Sequence, residues 1–272
     1  MLIKQDRESM IAAIRAEGLD IDLDGAEVRS GWENVVLDTV DGWILRFPRD
    51  EQVPFRRELA LLDRLHDHLP APIPRVLRVG TKTRFAGYRR IDGVSLDVAA
   101  FATADPMIRD RVAAGLARFL AVMHTATELP QIRTLTVPAF DADGLFPLDA
   151  ERLTPELWPR FNEVRDDLVW RLEASPHRPV LLHNDFHVGN LVLDEPLGKL
   201  TGVWDFSCVA IGNPSLEFRY LAEDSELAAR IASAYAARTG REIDLGLAVA
   251  ALRLEQVSDA LVENRDPAPY LA

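Results

Sequence analysis

The stretch LHNDFHVGN at residues 182–190 gathers His183, Asp185, His187 and Asn190 into one short segment, and a further aspartate, Asp205, follows in GVWDFS. Such a set suits phosphoryl transfer, which asks little covalent chemistry of a protein. It needs an acceptor hydroxyl aligned on the terminal phosphate and cations to hold the spreading negative charge. In that scheme Asp185 orients the hydroxyl and takes its proton late, while the Asn190 carbonyl and the Asp205 carboxylate offer hard oxygens to Mg²⁺. That ion takes few protein ligands and fills its shell with waters and nucleotide phosphates. A second reading stays open on the same residues. Alternate positions of an extended segment put His183, Asp185 and His187 on one side, the H-x-D-x-H pattern of a metal-dependent hydrolase.

The elements that must position these groups change character near residue 93. Before it, turn-punctuated apolar alternation predicts a short helix over 8–17 and strands within AEVRSGWENVVLDTVDGWILRFPR, joined at Asp41-Gly42, a dipeptide that accepts the positive φ of a tight hairpin. Arg46 falls on the second of those strands. Residues 52–67 carry Leu59, Leu61, Leu62 and Leu65 at helical spacing and end at the proline run 70–74. Two short strands, RVLRVG and FAGYRRI, finish a small antiparallel sheet. After Gly93 the periodicity is helical, over roughly 106–126, 151–174, 214–239 and 244–264, broken only by strand-like LVLD and GVWDF around the opening motif. The expected fold class is α+β, a protein-kinase-like two-lobe fold. Residues 1–92 are expected to form a small nucleotide-binding lobe of antiparallel sheet with one helix, and 93–272 a larger, mainly helical lobe with the catalytic loop and acceptor site.

Composition excludes several classes. With 48% hydrophobic and 27% charged residues the chain folds, and its net charge of −12 argues against a nucleic-acid footprint, which needs clustered Lys and Arg. No apolar run reaches the ~18–20 residues of a membrane span, and MLIKQDRESM does not look like a signal peptide. The single cysteine, Cys208, excludes an internal disulfide and reads as a small buried hydrophobe. A cytoplasmic protein, monomeric or weakly dimeric, is expected, with no nucleic-acid or membrane partner.

Six segments in order, SGWENVV, ILRFPR with RRELALLDRLH, LPAPIPRVL, FAGYRRIDGVSL, LLHNDFHVGNLVLD and GVWDFSCVAIGNPSLEF, resemble the aminoglycoside phosphotransferases, a kinase-like family of antibiotic and small-molecule kinases. LHNDF, the proline run and AEDSE look most like the 2″-phosphotransferases among them. The resemblance implies Asp185 as catalytic base and Asn190 and Asp205 as Mg²⁺ ligands. It also implies Glu58 as the helix partner of the phosphate-binding strand cation, here Arg46 in place of lysine, and Ser30 at a phosphate-loop position. Tyr88, Arg90 and Ile91 fall at the connector that would hold the base of ATP or GTP. Glu217 and the acidic run Glu223, Asp224 and Glu226 are the expected contacts to a hydroxyl-bearing acceptor, an aminoglycoside-type antibiotic; macrolides, nucleosides and sugars fit the same skeleton. Arg46 and Ser207, which replaces the usual glycine after Asp205, also leave open a nucleotide-binding module without transferase activity.

Overall fold

The computed structural model describes residues 2–31, 33–141, 145, 152–174 and 178–271. Strands β1 (Glu27–Ser30), β2 (Asn34–Asp38) and β3 (Trp43–Pro48) run antiparallel. After helix α2 (Phe55–Leu65), the short β4 (Arg78–Val79) and β5 (Ala86–Arg89) complete one sheet in the order β1-β2-β3-β5-β4. The β2–β3 turn is the one expected at Asp41-Gly42, with Gly42 at φ 85°, where a side chain would be strained. Its register sets Val36 opposite Arg46 and Leu37 opposite Leu45. Because side chains alternate across a strand, Leu45 joins the core beneath while Arg46 points to the other face. That core also holds Met10 and Ile14 of α1 (Arg7–Ala16), so α1 closes the far side of the sheet.

Helix α2 begins after Pro54, later than periodicity alone predicts, because the Asp50 side chain captures the amides of Gln52 and Val53 in a turn. Its Leu61, Leu62 and Leu65 belong to the core of the large lobe, whereas Glu58 faces Arg46. The link between lobes runs from β5 to α3 (Val98–Thr103) and makes a two-way backbone bridge, each amide of Val94 and Leu193 donating to the other's carbonyl at 2.8 Å. Gly93 permits that approach: it sits at φ 147°, and a Cβ there would lie 2.2 Å from the Leu193 carbonyl oxygen.

The large lobe contains α4 (Pro106–Thr125), the single turn α5 (Pro130–Arg133), α6 (Trp158–Ala174), α7 (Ser225–Thr239) and α8 (Leu245–Val262). Three outcomes differ from the sequence expectations. First, the helix expected from 151 starts at Trp158, with Pro159 tolerated in its first turn; Glu151 lies outside the described residues. Second, 214–239 is not one helix. Two 3₁₀ turns, Pro214–Phe218 and Leu221–Glu223, precede α7, and Asp224 starts α7 by accepting from the amides of Glu226 and Leu227. Third, the motif is flanked by two strand pairs instead of one. β7 (Leu191–Leu193) pairs with β8 (Leu200–Val203), and outside them β6 (Val180–Leu182) pairs with β9 (Ala210–Gly212). Among the described residues no helix is long and apolar enough to cross a membrane.

Candidate active site

The catalytic-loop candidates hang between β6 and β7, and Asp205 follows β8, so two strand pairs fix both ends of the motif. Asn190 donates through Nδ2 to the Asp185 backbone carbonyl at 2.9 Å and to its carboxylate at 2.8 Å. The Asn190 carbonyl oxygen is thereby turned away from Asp185. Burial, followed by repulsion from Asp205, pushes the Asp185 carboxyl up to about 7. Asp205 sits at φ 55°, an uncommon conformation for a side-chain-bearing residue. Its Oδ1 takes the bonds from Arg46 at 2.8 Å and from the Ser207 hydroxyl at 2.8 Å. Burial works to raise the Asp205 carboxyl, but Arg46 and Ser207 outweigh it and hold it below its usual range.

Arg46 is buried and bridges the lobes, with Nη1 on Glu58 and Nη2 on Asp205. Asn34, its amide oxygen turned toward the guanidinium, accepts from Nε at 2.9 Å and from Nη2 at 2.6 Å. Burial would lower the Arg46 pKa; the Glu58, Tyr88 and Asp205 neighbourhood raises it instead, so the side chain stays cationic. Arg57 of α2 adds a second tie across the lobes, donating to the Ser207 carbonyl at 3.2 Å.

Beneath the loop lies a scaffold that sequence reading assigned differently. Glu217 was expected to contact the acceptor. It is wholly buried, and its carboxylate accepts from the amides of His183 at 2.6 Å and Asn184 at 2.8 Å, with His124 Nε2 3.3 Å away. Arg219 donates to the Asn184 side chain at 3.0 Å, to its carbonyl at 2.6 Å and to Glu255 at 2.7 Å. Together they hold Asn184 at φ 66° just before Asp185. His183 is buried, and burial lowers its pKa, so it is neutral. Nε2–H then donates to the Trp204 carbonyl at 2.7 Å. That bond commits His183 Nε2 to the backbone, and the described residues contain no group of three or more His, Cys, Asp or Glu able to hold a metal ion, which the H-x-D-x-H reading requires.

Two clefts meet at this loop. One, of about 470 Å³, is walled by Val36 and Ile44 of the sheet, by Tyr88 and Ile91, and by Val192 and Trp204 of the large lobe. Tyr88 lies within β5, not on the connector, and its ring centroid is 5.8 Å from that of Trp204. The Arg90 side chain is held by Asp38 and the Thr39 carbonyl, fixing the connector to β2. Ser30 ends β1 and accepts from Arg49 beside the loop that contains Trp32, itself outside the described residues.

The other cleft, of about 950 Å³, is lined by Asp185, His187, Tyr220, Glu223, Asp224, Glu255 and Asp259. Glu226 is absent from this wall, since its carboxylate is taken by Arg109 and Arg230. Glu255 and Asp259, four positions apart on α8, were not anticipated; two acids at that spacing on an otherwise Ala- and Leu-rich helix were the available signal. Glu255 is engaged by Arg219 and by the Tyr220 hydroxyl at 2.5 Å, whereas Glu223 and Asp259 are exposed carboxylates with no ion pair among the described residues.

Residues 24–252 match the family described as the phosphotransferase enzyme family. The chain belongs to that family. No curated protein sequence matches it. Among solved structures, APH(2″)-IIIa with GDP and kanamycin aligns at TM-score 0.80 and 20% identity, over 96% of this chain and 94% of that one. APH(2″)-IIa with gentamicin aligns at 0.72 and 17%, over 99% and 97%. Macrolide 2′-phosphotransferase type I aligns at 0.70 and 20%, over 100% and 96%. These likenesses establish the kinase-like two-lobe fold.

For this phosphotransferase-family chain the donor set fits Mg²⁺. The Asn190 carbonyl is unspent on Asp185, the Asp205 hydrogen bonds converge on Oδ1, and two hard oxygens are the few protein ligands that ion accepts. Bound there, Mg²⁺ would neutralise phosphate charge. The Arg46 bridge makes a separate prediction. Arg46→Ala is expected to raise KM for the nucleotide about tenfold or more, because the charge-assisted bridge that sets Glu58 and Asp205 against each other is lost. It also strands the buried Glu58, a loss of about 3–5 kcal/mol in thermal or urea unfolding. Arg46→Lys, which keeps the charge and loses the fork, is expected to recover part of both. Wild-type KM and kcat in the alanine variant would overturn a part for the Arg46 bridge in nucleotide binding.

Proposed function

We propose that this protein transfers the terminal phosphate of ATP or GTP to a hydroxyl of a cationic, aminoglycoside-type small molecule. The observation that carries the reading is the position of Asp185, at the meeting of a sheet-roofed cleft and a wide acidic one, bonded to Asn190 and near Asp205. The nucleotide base would enter between Tyr88, Ile91 and Trp204, with its phosphates running toward Arg46, Asn190 and Asp205. The acceptor oxygen attacks the terminal phosphorus, the bond to the bridging oxygen breaks, and nucleoside diphosphate leaves. The hydroxyl proton passes to the Asp185 carboxylate. The lobes at 1–92 and 93–272 would thus divide the work, nucleotide above and acceptor below.

Support for a cationic acceptor comes from Glu223 and Asp259, which make no ion pair among the described residues and line the wide cleft from different elements, and from the antibiotics carried by APH(2″)-IIIa and APH(2″)-IIa. Ammonium groups meeting those carboxylates gain charge-assisted hydrogen bonds and faster capture, and both weaken with salt. The deciding experiment is an acceptor panel of aminoglycosides, macrolides, nucleosides and neutral sugars, read by nucleoside-diphosphate release with ATP and with GTP. An aminoglycoside is expected to turn over, and its kcat/KM to fall about tenfold or more as salt rises toward ~0.5 M, where the screening length is a few Å. Glu223→Gln with Asp259→Asn is expected to raise acceptor KM about tenfold and leave nucleotide KM unchanged. Turnover confined to an uncharged acceptor would refute the cationic acceptor, and nucleotide binding without any turnover would refute the transferase reading.

A further inference from the structure

A further cavity of about 320 Å³ lies between α4 and the β7–β8 pair, outside both clefts of the candidate site. Its floor is apolar, built from Val112 and Leu116 of α4, Leu193 of β7 and Leu200 of β8, with Pro70 and Ala71 as one wall. Three cations rim it, Arg111, Arg118 and Lys199, and among the described residues no carboxylate lines it. In a chain of net charge −12, with 31 Lys and Arg against 43 Asp and Glu, three cations rim this one apolar cavity, and the nearby Asp194 is spent on the Lys199 amide at 2.6 Å. Nor do they serve as ion-pair partners. Arg111 makes one long bond to the Leu197 carbonyl at 3.3 Å, and no ion pair joins Arg118 or Lys199 to a described residue. All three side chains are exposed.

Helix α4 carries an independent mark of the same cavity. Arg111, Gly115 and Arg118 fall at i, i+4 and i+7, one stripe of the helix, and that stripe faces the cavity. Gly115 stands in the interior of a 20-residue helix, where glycine is a poor choice relative to alanine. Packing gives no reason for it: a Cβ built at Gly115 meets no atom within 4 Å, and its φ is not in the left-handed region. What the missing side chain leaves is space in the cavity between two arginines.

We infer that this cavity is a second ligand site, for a small amphipathic anion whose hydrocarbon body fills the apolar floor and whose carboxylate, sulfonate or phosphate meets Arg118 and Lys199. The apolar part supplies burial and the rim supplies charge-assisted hydrogen bonds. Part of the floor is the turn end of the β7–β8 pair, whose opposite end leads to Asn190 before β7 and Asp205 after β8, so an occupant packs against the strands that adjoin both.

The test is calorimetric titration of the whole protein with octanoate, octanol and octylamine, probes that share a chain and differ in head group. Saturable octanoate binding with a Kd on the order of 0.1–1 mM is expected, and about tenfold or weaker binding of the other two. Gly115→Leu fills the cavity and is expected to abolish octanoate binding while thermal unfolding and nucleotide affinity stay at wild-type values. Arg118→Glu with Lys199→Glu, both at exposed positions, is expected to weaken octanoate about tenfold or more and to leave octanol unchanged. Absence of saturable octanoate binding, equal binding of octylamine, or octanoate binding that survives either variant would each overturn the proposal.

Discussion

Asp185→Asn is expected to lower kcat by about 10²–10⁴ while nucleotide affinity stays within about threefold of wild type. The expectation follows from what the two oxygens of Asp185 do. One accepts from Asn190 Nδ2 at 2.8 Å, and the side chain opens into the wide cleft where an acceptor hydroxyl would lie. An asparagine is the same shape and can keep the Asn190 bond by turning its oxygen inward. Its amide nitrogen then faces the acceptor, donating where a proton must be taken up. The fold and the Asn190 position are preserved, and only the acceptor's alignment and the proton's destination are lost. Because the group acts on the acceptor, binding of the nucleoside triphosphate is not expected to change. Steady-state diphosphate release together with calorimetric nucleotide binding checks both halves. A variant that keeps more than about a tenth of wild-type kcat would remove Asp185 from the role of base.

Asp205 makes the second large prediction, and the choice of variant matters. Alanine there would also have to adopt φ 55°, a conformation that costs a residue with a Cβ about 1 kcal/mol or more. Asparagine tolerates that region and can still accept from Ser207, so Asp205→Asn removes the charge with little backbone strain. Turnover is expected to fall about 10³-fold, and Mg²⁺ is expected to lose most of its effect on nucleotide affinity, because one of the two hard oxygen donors has lost its charge. Arg46 keeps Glu58 as a partner in this variant, so a melting temperature near wild type separates loss of the metal from loss of the lobe contact. Nucleotide calorimetry with and without Mg²⁺ is the measurement. An undiminished Mg²⁺ effect would remove Asp205 from the metal site.

Much of the site was legible because it is encoded locally. Asp185 and Asn190 lie five positions apart on one loop, close enough for the amide to reach the carboxylate once the loop is held. The hairpin at Asp41-Gly42 fixes the register that turns Arg46 away from the sheet's core, and Glu58 meets it from the next element, twelve residues on. Elements with strong periodicity, α4 and α8, begin and end within two residues of where the pattern places them. The three-residue strands β6 and β9 left no such signal. Each is too short for an alternation to register, and they exist as strands only because they pair with each other.

The acidic residues divide the other way. From sequence, Glu217, Glu223, Asp224 and Glu226 are one run of negative charge after Asp205, and nothing in their spacing ranks them. The fold spends Glu217 on the amides of His183 and Asn184, Asp224 on the start of α7, and Glu226 on Arg109 and Arg230. It leaves Glu223 exposed, facing the cleft opposite an aspartate from α8. A carboxylate's type and approximate place are properties of the chain, so sequence determined that this protein carries a phosphotransferase motif, a cation on the second hairpin strand and an acidic downstream segment. Whether a given carboxylate is a buried hydrogen-bond acceptor, a helix cap or a free charge depends on donors that reach it from 34 or 117 residues away, and those distances in sequence are closed only by packing.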